Sequence, residues 1–150
     1  MPVNRALLKL LQVRELEEEQ CRSALASAAA ALRRLEQALA AARERGRTGR
    51  ALMLAGAQGG NLEDRLAATE EVRASLRHAA FLWPRIQSAE LQVAASRQKL
   101  LAKRTECRQA KTWIETERRR DAIEQNRKQQ QALDEWHRSR RDREDARKEH

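Results

Sequence analysis

Between Val72 and Ile114 an apolar residue recurs at every seventh position without a miss: Val72, Ala79, Ile86, Val93, Leu100, Cys107 and Ile114. A second row of apolar or small residues, Leu82, Ala89, Ser96 and Ala110, stands three positions after members of the first, with Lys103 interrupting it. Seven-residue spacing with a three/four sub-period keeps one stripe of a long helix against a partner helix, which specifies a coiled coil. The fold this predicts is all-α, two long helices in an antiparallel coiled-coil hairpin.

Composition agrees. Charged residues make up 35% of the 150-residue chain and aromatics 3%, with no Tyr. A thick core needs bulky residues in several layers; this composition suits one seam. The net charge of +9 suits an acidic partner, but acids and bases are interleaved, as in Arg141-Asp142-Arg143-Glu144-Asp145. Mixed charge of that kind reads as a solvated, salt-bridged helix face, and no one-sided basic stripe is expected. Cys21 and Cys107 lack metal-ligand spacing and a CxxC context, so both are expected to stay reduced. No run approaches the ~20 apolar residues of a membrane span, and the N-terminus does not read as a signal peptide, so a cytoplasmic protein without stable membrane insertion is expected.

Taken in order, Asn4 is a predicted N-cap, with Val3 and Leu8 placed for a hydrophobic staple. The first arm is expected over residues 5–45, about 60 Å at ~1.5 Å per residue. Its seam rows are Leu25, Leu32 and Leu39 beside Ala28, Leu35 and Ala42, broken toward the N-terminus by Arg14 and Glu18. All five glycines fall from Gly46 to Gly60, and a glycine inside a helix costs roughly 1 kcal/mol. A Gly-rich turn over 46–60 is therefore expected, Gly46 closing the first arm. Asn61 caps a second arm over 61–138, kinked near Pro84, and residues 139–150 form a charged tail. Two registers are open: Leu39 with Val72 in a tight hairpin, or Leu39 with Ile86. The first is preferred because the second leaves a large unpaired head.

Nothing in this pattern supports chemistry. Gly56, Gly59 and Gly60 lack a following Gly-Lys-Ser/Thr, and His78, His137 and His150 lack ligand spacing. No catalytic residue, cofactor site or metal site is expected, and the chain reads as a non-enzyme. Partner binding is the alternative. Phe81, Leu82 and Trp83 form a bulky cluster, expected as a docking patch at the hairpin head. Trp113 is expected to flank the seam that Ile114 occupies, and Trp136 to make a contact rather than join a core.

The stretch 118–136, with Glu124-Gln125-Asn126-Arg127, a Gln/Lys-rich run and the ending Asp134-Glu135-Trp136, resembles the C-terminal helix of the FliJ/YscO group. These are the central stalk proteins of flagellar and injectisome type III secretion systems. The layout, two antiparallel helices with the second longer, is similar over nearly the whole chain. The resemblance implies a coiled-coil stalk that binds the hexameric secretion ATPase and couples it to the export gate, with possible handling of export chaperones. It also implies that residues 5–22 and 118–136 face the ATPase: Arg5, Lys9, Arg14, Arg118, Arg119, Arg120, Arg127, Lys128 and Trp136. A generic coiled-coil adaptor or chaperone escort is the alternative. A nucleic-acid-binding hairpin is disfavoured, because no aromatic stacking platform or reader motif is present.

Overall fold

The computed structural model describes residues 4–57 and 59–149; Val3 of the expected staple and His150 lie outside them. Two helices account for nearly all of the described chain, α1 (Arg5–Ala57) and α2 (Leu62–Lys148), and they pack against each other as a hairpin. Both begin where an asparagine can cap them. Asn4 Oδ1 accepts from the Ala6 N–H at 3.1 Å, and Asn61 Oδ1 accepts from the Glu63 N–H at 3.4 Å. Each cap satisfies an N–H that a helix start leaves without a partner. Glu63 and Asp64 in the first turn of α2, and Arg147 and Lys148 in its last, match the helix dipole.

Contacts divide the chain into two units, Glu18–Lys103 and Met1–Glu17 with Arg104–His150. The first contains the turn, and here the expected boundaries need correction. Helix α1 does not stop at residue 45 but continues twelve residues further, through Gly46, Gly49 and Gly56. These glycines do not mark a break: they are buried contact points. A Cβ on Gly46 would lie 2.6 Å from Ser75 Oγ, and one on Gly49 would lie 2.9 Å from Val72 Cγ2 and 3.3 Å from the Ala68 carbonyl oxygen. Each glycine costs the helix roughly 1 kcal/mol, but its missing side chain lets α2 approach the α1 backbone. The packing offsets the propensity.

The turn itself is short. The Gly56 carbonyl accepts from the Gly60 N–H at 2.9 Å and from Arg65 Nε at 2.8 Å, which closes the helix end. Gly59 has φ +143°, a conformation glycine adopts without strain. Beside the turn, Gly56 leaves room for Arg65, whose Cγ would sit 3.1 Å from an added Cβ.

Register follows from these contacts. With Gly46 on Ser75 and Gly49 on Val72, Leu39 falls among Leu82 and Ile86, and these three form the buried cluster of the unit. Leu32, Leu35, Ala38 and Ala79 pack around it. The tight pairing of Leu39 with Val72 is therefore not adopted, and the arrangement lies near the register in which Leu39 meets Ile86. That register leaves no unpaired head, because α1 itself supplies the residues opposite the start of α2. Along the rest of the seam in this unit, Leu100 and Ser96 are buried, while Leu25, Val72 and Val93 are half-buried. Pro84 lies inside α2 on the exposed side, with helix continuing on both sides of it.

In the second unit Cys107, Ala110 and Ile114 are buried, and Leu7, Leu10 and Leu11 are half-buried. Beyond Asp121 every described residue is exposed, yet α2 continues to Lys148 and not to 138. The tail is held by local pairs: Arg140 Nε lies 3.6 Å from Glu144 Oε1, and its guanidinium lies 5.4 Å from the Trp136 ring centroid. Pairs at i,i+4 contribute a few tenths of a kcal/mol each.

The glycine contacts predict different outcomes at neighbouring sites. Gly49→Val places branched carbons against Val72 and the Ala68 backbone, so urea unfolding should show a loss of about 1–3 kcal/mol. Gly56→Ala meets only Arg65, with Cγ 3.1 Å from the added Cβ and Nε held on the Gly56 carbonyl, and gains helix propensity in return, so it should stay within about 1 kcal/mol of wild type. Equal destabilisation by both would refute the close-approach account.

Candidate partner-binding surfaces

The first three turns of α1 and the last third of α2 fall in one unit, and both basic segments expected to meet a partner lie on helix there. Arg5, Lys9, Arg118, Arg119, Arg127 and Lys128 are exposed there. Arg120 is also exposed, with Glu117 Oε1 at 3.5 Å. Around them stand large apolar side chains with little cover: Val13 and Leu16 on α1, and Ile123, Leu133 and Trp136 on α2. Trp136 is 55% exposed; His137 meets its ring edge at 5.1 Å, and the Arg140 guanidinium lies 5.4 Å from the ring centroid. A half-turned-out apolar set on a helix with basic neighbours is what a partner lined by carboxylates and apolar groups would bury.

Arg14 differs from the other expected contact residues. It is half-buried in the seam, where its Nη1 donates to Glu106 Oε2 at 2.7 Å and lies 3.4 Å from Glu17 Oε2. The charge that interrupts the apolar row is therefore matched from the opposite helix. Its guanidinium is thus engaged across the seam, unlike those of the exposed arginines.

The bulky cluster in the middle of α2 also divides. Leu82 is 4% exposed, inside the core with Leu39 and Ile86, so it cannot belong to a docking patch. It occupies the second seam row, three after Ala79, and that row decides its burial. Phe81 and Trp83 are 56% and 52% exposed, with the Arg85 guanidinium 4.2 Å above the Phe81 ring. Nor do they lie at the hairpin head, which is formed by the ends of α1 and α2 around Gly59. Sequence reasoning missed Leu76 and Leu91, both exposed. They stand seven before and eight after Trp83, a spacing that puts all three on one helix face, and this was the available signal. Trp113 is 58% exposed beside the buried Ile114, the flanking position expected of it.

No arrangement for catalysis emerges among the described residues. A cleft of about 520 Å³ beside the turn is lined by Leu52, Ala55, Gly56, Gly60, Asp64, Ala67, Ala68 and Glu71. It offers two carboxylates and small apolar groups but no nucleophile beside a base. No group of His, Cys, Asp and Glu among the described residues could hold a metal ion, and no helix is long and apolar enough to cross a membrane.

The Arg14–Glu106 pair is about a third exposed on each side, so its coupling should be modest. A double-mutant cycle with Arg14→Gln and Glu106→Gln should return about 0.5–1 kcal/mol in urea titrations at low salt. No coupling would mean that the pair contributes nothing to register.

Comparison with known proteins places these surfaces in a family. No curated protein and no solved structure gives a significant match. The family described as flagellar FliJ protein matches over residues 4–145, taking in both helices, the turn between them and the exposed basic segments. By that near-complete match, the chain belongs to the flagellar FliJ family.

Proposed function

We propose that this chain is the central stalk of a type III protein export apparatus, with the ends of its two helices seated in the ring of the hexameric secretion ATPase. The observation that carries this reading is the last third of α2. It stays helical to Lys148 while every described residue past Asp121 is exposed. A helix held by local pairs, with that little burial, leaves its surface for a partner to cover. Arg118, Arg119, Arg127 and Lys128 supply charge for acidic groups lining a ring, and Ile123, Leu133 and Trp136 supply apolar contacts.

The mechanism needs no chemistry on the stalk. One asymmetric hairpin among six subunits contacts some more favourably than others, and so biases which catalytic site closes. The stalk is a non-enzyme that works in the cytoplasm, at the face of the apparatus where the ATPase sits. Leu76, Trp83 and Leu91 form a separate exposed apolar stripe suited to the export gate or an export chaperone. A generic coiled-coil adaptor shares the fold but has no reason to stimulate an ATPase.

The test is co-elution and ATP turnover of the cognate ATPase with and without this protein, near physiological salt. Co-elution and raised turnover are expected. Charge reversal at Arg118, Arg119 and Arg120 should weaken binding on the order of tenfold or more and remove the stimulation. An ATPase that neither binds nor responds would leave only the adaptor reading.

A further inference from the structure

At the turn end of the hairpin the interleaved charges separate by side. On α1 the contact positions are 46, 49 and 56; on α2 they are 65, 68, 72 and 75. In an antiparallel pair, residues one step after the contact positions on each helix lie on the same side. On α1 that stripe reads Arg43, Arg47, Arg50 and Leu54; on α2 it reads Leu62, Leu66, Thr69 and Arg73. Both follow the i, i+4, i+7, i+11 pattern of one helix face. Leu54, Leu62 and Leu66 are 72%, 67% and 62% exposed, and the four arginines are exposed. Arg47 has an exposed neighbour, Glu44, at 3.4 Å, a weak pair. The other side of the same stretch carries Asp64 and Glu71, with one arginine, Arg45, whose Nε lies 3.2 Å from Glu71 Oε1. A one-sided basic stripe, not expected from the sequence, is therefore present here.

We propose that this basic, leucine-bearing side of the hairpin tip docks an acidic amphipathic helix of a partner protein, as the third helix of a local bundle. Charge complementarity selects the occupant. Two parallel-running stripes form the walls of a groove, leucines toward the turn and arginines one to three turns behind. A helix with a leucine stripe flanked by Glu or Asp would cover the former and pair with the latter. Phosphates alone would leave three leucines in water. A bilayer would have to accept Glu63 and Asp64 at the extreme tip. The surface is distinct from the ATPase-facing segments, so this inference does not rest on the stalk reading.

The probe is a surface-displayed library of amphipathic helices of about 20 residues, ~30 Å long, with leucines fixed and flanking positions free to be Glu, Gln or Lys. Selected on the full chain, it should become enriched in Glu. Binding of the enriched helices should fall at least about tenfold on Leu62→Ser/Leu66→Ser and on Arg43→Glu/Arg50→Glu, and persist on Asp64→Asn. Circular dichroism melts establish that each variant is folded. The proposal is overturned by no enrichment, by enrichment in Lys, or by selected helices that ignore the tip substitutions. It is equally overturned if the same substitutions abolish self-association in sedimentation, or binding to phosphatidylserine vesicles or duplex DNA, while leaving helix capture unchanged.

Discussion

The close approach of α1 and α2 at Gly46, Gly49 and Gly56 sets the rest of the arrangement near the turn. Once Val72 rests on Gly49 and Ser75 on Gly46, two antiparallel helices have only one way to continue. Leu39 must then meet Leu82 and Ile86, and the half-buried leucines of α1 must fill the gaps along α2. The contacts are cooperative: a side chain at Gly49 would push apart the very backbones whose spacing determines which leucines meet. Glycine here acts through absence of volume, and its conformational freedom is used only at Gly59.

A single seam between two helices limits how much can be buried. Nine apolar residues are buried among the described residues, and four of those are alanine or cysteine, so large apolar groups necessarily remain outside. In a globular domain such exposure would be a liability; in the proposed stalk it is the surface that partners would cover. The exposed groups are not scattered evenly. They gather on one face around Trp83, on the unpaired end of α2 around Trp136, and at the tip around Leu54, Leu62 and Leu66.

Charge is used in two ways. Inside the seam Arg14 meets Glu106, so the interruption of the apolar row becomes a register mark. Outside it, short-range pairs such as Arg140 with Glu144 support helix where no packing is available. The same residue types therefore either position the two helices or keep an unpaired helix ordered, according to what lies opposite.

The periodic rows determined by themselves that this chain is two long helices sharing one seam, because a seven-residue repeat has no other way to bury its apolar stripe. Asn4 and Asn61 announced the helix starts, and the FliJ-like stretch near Trp136 announced the family. Only the tertiary structure decided where α1 ends and which leucines meet. Glycine's helix penalty is a local quantity, and at Gly46 and Gly49 it is outweighed by packing against residues some twenty to thirty positions away. Tertiary contact likewise settled Leu82, which the sequence placed both in the seam row and in the bulky cluster, in favour of the seam, and it sorted the tip's arginines to one side. A linear sequence records the order of charges, but the side each faces is settled by the helix that lies across from it.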